Sequence, residues 1–152
     1  MESLARILAT HPFLEGMTQD QIEFITGCAS NVVFNEGEFL YKQGSPVNKI
    51  YLLRHGRVAV QSFAPGRGPV TVDVASAGDL VGWSGMVGGG ARFDVIALEL
   101  VRAIALDSAC LRTKCDADPR LGHAMFLRVA NVLEHRLEST RVQLLDMYAS
   151  NH

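Results

Sequence analysis

The sequence predicts a mainly β domain flanked by helices, on three observations. From about Asn31 to Leu106, glycines at 37, 44, 56, 66, 68 and 78 punctuate short runs rich in Val, Ile, Leu, Phe and Tyr. That spacing suits a sandwich, barrel or jelly roll. On either side of this stretch the apolar residues recur with a helical period instead. Finally, 152 residues with 48% hydrophobic content and a formal net charge of −2 suffice for one domain with a real core. They are too few for a second domain of ordinary size. A single domain over 1–152 is expected, with helices over 1–30, strands over 31–106 and helices over 107–150.

At the N-terminus, Leu4, Ile7 and Leu8 form one apolar stripe. His11-Pro12 ends it, because the residue before a proline disfavours helix. Thr18-Gln19-Asp20-Gln21 reads as a capping box that opens a second helix, its apolar face formed by Ile22, Ile25 and Cys28. The clearest strand is Lys49 to Arg54, followed by a His55-Gly56 turn and a second strand from Arg57 to Phe63. Ala64 to Pro69 is a Gly/Pro-rich hairpin tip, and Asp94 to Leu106 supplies the last two strands.

Asp107-Ser108 caps a short helix to about Cys115, and Asp118-Pro119 starts a long one, with proline where a missing amide is harmless. Roughly 30 residues of helix reach about 45 Å, more than the width of a small domain, so its far end must leave the globule. Phe126, Ala130, Leu133, Leu137, Thr140, Leu144 and Met147 alternate spacings of four and three, a coiled-coil seam. A parallel homodimer through this helix is expected. Arg120, Arg128, Arg136 and Arg141 read as its solvated face.

Composition narrows the function classes. Lys+Arg 14 against Asp+Glu 16 gives no basic field for nucleic acid. Met1-Glu2-Ser3-Leu4 lacks the basic and apolar regions of an export signal, and Val95 to Leu106 is too short to span a bilayer. A cytoplasmic location follows as the expectation. Cys28, Cys110 and Cys115 are an odd number without framework spacing, so small buried thiols are expected rather than a disulfide scaffold or a metal site.

With these elements in place, four segments carry a resemblance. Glu36-Gly37-Glu38-Phe39-Leu40-Tyr41-Lys42-Gln43-Gly44, Ile50-Tyr51-Leu52-Leu53, Gly56-Arg57-Val58 and Gly78-Asp79-Leu80-Val81-Gly82 resemble the cyclic-nucleotide-binding domain of catabolite-activator-type bacterial regulators. The match runs in family order from about Phe13 to Tyr148. The resemblance implies a β-roll, a double-stranded jelly roll of eight strands, with a long C-terminal dimerisation helix. It also implies a phosphate-binding cassette, which in the family reads Phe-Gly-Glu-Leu-Ala, about seven residues, then Arg-Ala-Ala or Arg-Ser-Ala.

The corresponding stretch here is Val81 to Asp94, of the same length. Gly82 matches the family glycine, Ser84 and Gly85 would offer amides, and Arg92 stands where the phosphate-binding arginine belongs. Trp83 replaces the glutamate that accepts from the ribose, and Phe93 replaces a small residue. One lost charge-assisted hydrogen bond costs about 1.5–3 kcal/mol, and an indole in the ribose space adds bulk. These departures argue against ordinary cyclic AMP binding.

Several roles stay open at this level. Arg92 is either an anion ligand or the partner of Asp94, two residues on. Trp83 either lines the pocket or plugs it. Thr140 and Arg141 on the long helix are candidates to contact the ligand, Thr140 either reaching a base or setting the seam's register and Arg141 otherwise part of the solvated face. The glycines 88–90 read either as a nest of amides for an anion or as a flexible loop, the loop being preferred.

The resemblance therefore implies a regulatory or sensor domain for a small anionic, nucleotide-like ligand. A cyclic nucleotide would be a ligand here, and no cofactor is implied. The alternative is a degenerate, ligand-free dimerisation and interaction module. No helix-turn-helix sequence follows Ser150-Asn151-His152, so direct DNA binding is not expected, and an unidentified protein partner is. An enzyme is not expected either: cupin-type jelly rolls need several histidines, and His55 is alone in the β region.

Overall fold

A computed structural model describes residues 3–150. Met1, Glu2, Asn151 and His152, the ends read above for an export signal and a following domain, lie outside the described residues. Two short helices lead the chain, α1 (Leu4–Ala9) and α2 (Gln19–Thr26), with a 3₁₀ turn Pro12–Leu14 between them. Local chemistry explains both starts. Ser3 caps α1, and the reciprocal Thr18/Gln21 box caps α2 with bonds of 3.2 and 3.0 Å.

Eight strands follow: β1 (Ala29–Phe34), β2 (Phe39–Tyr41), β3 (Lys49–His55), β4 (Val58–Ala64), β5 (Gly68–Ala75), β6 (Leu80–Val81), β7 (Asp94–Ala97) and β8 (Val101–Asp107). They form two four-stranded antiparallel sheets, ordered β1-β8-β3-β6 and β2-β7-β4-β5. This is the mainly β, jelly-roll architecture that the glycine-punctuated pattern predicted. The β3–β4 turn depends on Gly56, whose φ is +87°; a β-carbon there would collide with the Leu100 carbonyl.

Two cores share the first sheet. Ile50 and Leu52 on β3, with Ile104 and Leu106 on β8, face the helices. Tyr51 and Leu53, with Ala103 and Ala105, face the second sheet. Period-two alternation thus buries both faces of these strands, which is why β3 reads as an unbroken apolar run.

The C-terminal helices are α3 (Ser108–Ala117) and α4 (Pro119–Ser150). Asp107 caps α3 through the Cys110 amide at 2.8 Å, and Asp118 accepts from the Arg120 and Leu121 amides at the start of α4. At 32 residues, α4 is about 48 Å long. Leu121, Met125 and Val129 pack it on its own domain. Residues 137–150 are exposed throughout, so the far end does leave the globule.

Two expectations need correction. Cys28 and Cys110 form a disulfide, with Cα atoms 5.7 Å apart, and Cys115 alone is free and buried. Folding makes that pair: Asp107 donates its amide to the Cys28 carbonyl, and Lys114 reaches the Phe24 carbonyl at 2.5 Å, drawing α3 onto the end of α2. Nor are the α4 arginines simply a solvated face. Arg128 folds back to the Glu15 carbonyl, and the side chain of Arg136 is only 18% exposed.

Candidate ligand-binding site

The strand β6 ends at Gly82, a left-handed position (φ +90°) whose missing side chain leaves room for the Tyr41 hydroxyl. The chain then makes a 3₁₀ turn, Trp83–Met86, and a glycine-rich loop that is bridged to Pro46 at Gly90 before β7 begins. Under this turn and loop lies a small cavity of about 80 Å³, below the usual range of roughly 300–1,000 Å³ for small-ligand sites.

Gly82, Trp83, Ser84, Arg92 and Phe93 stand on its wall, together with Tyr41, Val60, Val81 and Val95. The valines and Tyr41 belong to the inter-sheet core, and of these Tyr41 and Val81 fall within the segments that carry the family resemblance. Arg92 is exposed at the rim. Its alternative partner is engaged elsewhere: Asp94 Oδ1 accepts from the Gln43 amide at 2.6 Å. Among the described residues Arg92 has no carboxylate partner.

The remaining sequence candidates fall outside the cavity. Gly85 is buried against Ser108, which leaves no space for a side chain, and its amide donates to the Gly82 carbonyl at 3.0 Å. It therefore has no amide to give a ligand. Thr140 donates its hydroxyl to the Arg136 carbonyl at 2.8 Å and lines a second, wider groove between α4 and β5. Arg141 is exposed on neither wall.

The residue that sequence reasoning missed is Arg136. Its guanidinium lies over the Trp83 ring at 4.8 Å, pairs with Asp73 at 3.1 Å and donates to the Leu80 carbonyl at 2.9 Å. One side chain thus ties α4 to β5, β6 and the cassette. Trp83, Phe93 and Val60 are walls of both the cavity and the groove, so the two spaces meet at the indole.

Electrostatically the cavity is plain. Burial, with Tyr51 adding to it, pushes the Tyr41 phenol far above its ordinary value. It stays protonated and donates to the Lys49 carbonyl. Arg92 is, among the described residues, the one charged side chain on the wall. Among the described residues no group of three or more His, Cys, Asp or Glu could hold a metal ion.

A sequence profile of the cyclic nucleotide-binding domain matches residues 31–118, more than half of the chain and all eight strands but the start of β1. The chain belongs to that family. No curated protein sequence matches it. In fold it is similar to a cyclic nucleotide-binding domain from Methylobacillus flagellatus KT, at a TM-score of 0.79 and 19% identity, covering 88% of this chain and 75% of that one.

It is similar also to a cAMP-binding acyltransferase from Mycobacterium smegmatis (TM-score 0.71, 22% identity, 89% and 41% covered). The Thermus thermophilus catabolite activator protein gives 0.70 and 20%, with 91% and 63% covered. At these identities the likeness is one of fold. No helix among the described residues is long and apolar enough to cross a membrane.

Proposed function

We propose that this chain is a non-enzymatic regulatory domain that senses a small anionic ligand in an altered phosphate-binding cassette. Arg92 carries the reading: a guanidinium with no carboxylate partner, at the rim of a cavity with otherwise uncharged walls. Such a group favours an anion that can accept its paired N–H donors. Occupancy would reach α4 through Trp83 and Arg136, and two copies would pair along Phe126, Ala130, Leu133, Leu137, Leu144 and Met147. Leu137, Leu144 and Met147 are 52–65% exposed, which supports a partner helix. A downstream protein would read the paired helices.

Thermal unfolding with millimolar cyclic AMP, cyclic GMP, other nucleotides and phosphate tests it. A micromolar binder at thousandfold excess stabilises by about 4 kcal/mol. That raises the midpoint by roughly 8–16 °C for a chain of this size. Silence with every anion would leave the second reading, a ligand-free dimerisation module, which the bulk of Trp83 at the ribose position favours.

A further inference from the structure

The cavity's polar groups are few and mostly committed. Tyr41 gives its hydroxyl to the Lys49 carbonyl. Asp94 serves the Gln43 amide and is absent from the wall, and Asp73 is held by Arg136. Among the described residues no carboxylate lines the cavity, and Ser84 has its one aliphatic hydroxyl. A ligand rich in hydroxyls would surrender its water there with little in return. The wall offers ring surface from Tyr41, Trp83 and Phe93, aliphatic surface from valines, and one cation.

Trp83 is also a fixed wall rather than a loose plug. Arg136 covers the indole at 4.8 Å, and is itself anchored at 3.1 Å to Asp73 and at 2.9 Å to the Leu80 carbonyl. A surface set before the ligand arrives loses little freedom on binding.

We propose that this cavity selects an organic monoanion with an aromatic body, of the aryl-carboxylate class, over a sugar-bearing nucleotide. The carboxylate pairs with Arg92, and the ring lies against Trp83 and Phe93. This rests on the anion-sensor reading above and adds the ligand's class to it.

Isothermal titration of the full chain with phenylacetate, cyclic AMP and inorganic phosphate tests the inference. Phenylacetate should bind at least tenfold more tightly than either other probe. Arg92→Gln, an exposed position the fold tolerates, should weaken it at least tenfold. Trp83→Glu, checked for native circular dichroism, should reverse the order of phenylacetate and cyclic AMP. Cyclic AMP or phosphate matching or surpassing phenylacetate on the native chain would overturn the aryl-carboxylate class and leave the anion sensor standing. Phenylacetate affinity unmoved by Arg92→Gln, or its preference persisting in Trp83→Glu, would also overturn the class. No heat with any of the three would overturn both.

Discussion

Replacing Arg136 with alanine removes three contacts at once and leaves their partners behind. The guanidinium's hydrogen bond to the Leu80 carbonyl, at 2.9 Å beside a side chain that is 1% exposed, is the costly one. Bonds to charged groups contribute about 1.5–3 kcal/mol. The Asp73 pair, its two side chains 18% and 39% exposed, adds less, on the order of 0.2–1 kcal/mol. The stack on Trp83 at 4.8 Å adds about 0.5–1 kcal/mol.

Contacts through one guanidinium are not additive, so a loss of about 2–3 kcal/mol is expected. That lowers the melting midpoint by roughly 4–12 °C. Trp83 is the chain's single tryptophan, so its fluorescence reads the same event: the emission should move to the red as the ring loses its cover. Arg136→Lys keeps the charge without the planar fork and should fall between. A melting midpoint within 1 °C of native together with unmoved emission in Arg136→Ala would refute the three-way anchor.

Two further outcomes follow from other parts of the molecule. Leu133→Asp should halve the sedimenting mass while leaving the melting of the domain nearly unchanged, because Leu133 is 41% exposed on a single chain; an undiminished mass would reject the seam. His11 is buried, its Nε2 2.9 Å from the Leu53 carbonyl and its Nδ1 accepting from the Phe13 amide. Burial first of all lowers its pKa below 6.5, against opposing pulls from the Leu53 carbonyl and Asp79, so the folded state favours the neutral ring. Its contribution is complete above the unfolded value of about 6.5 and is lost as pH falls toward the lower folded value. Melting midpoints taken from pH 8 to pH 5 should therefore decline below about 6.5, with a shallower slope in His11→Gln.

The features that could be read from the sequence are local ones. Thr18 and Gln21 are three residues apart, Asp118-Pro119 are adjacent, and the apolar run of β3 lies within seven residues. The cassette was legible in part for the same reason: Gly82, Trp83 and Ser84 are contiguous, and Arg92 and Phe93 follow at a family distance. Gly85 looks equivalent to its neighbours until α3 is packed beneath it and Ser108 fills the space. Cys28 and Cys110 are 82 residues apart, and no spacing rule spans a jelly roll. Arg136 sits among other arginines on a helix surface. Only the fold shows that its long stem carries the charge back to Asp73, 63 residues earlier.

The strand pairing itself has a consequence for how this chain comes into being. β4 pairs with β5, β3 with β6, β2 with β7 and β1 with β8, a nest of brackets centred on the turn at Pro65 to Arg67. Only the innermost bracket is a short-range hairpin; each one outside it must close a longer loop. A ribosome must release residue 107 before β1 has a partner to lie beside, so the first sheet cannot be finished during most of synthesis. Until then β3 waits with one edge unpaired. Folding is expected to be slow for a chain of this length and to depend on the hairpin starting correctly.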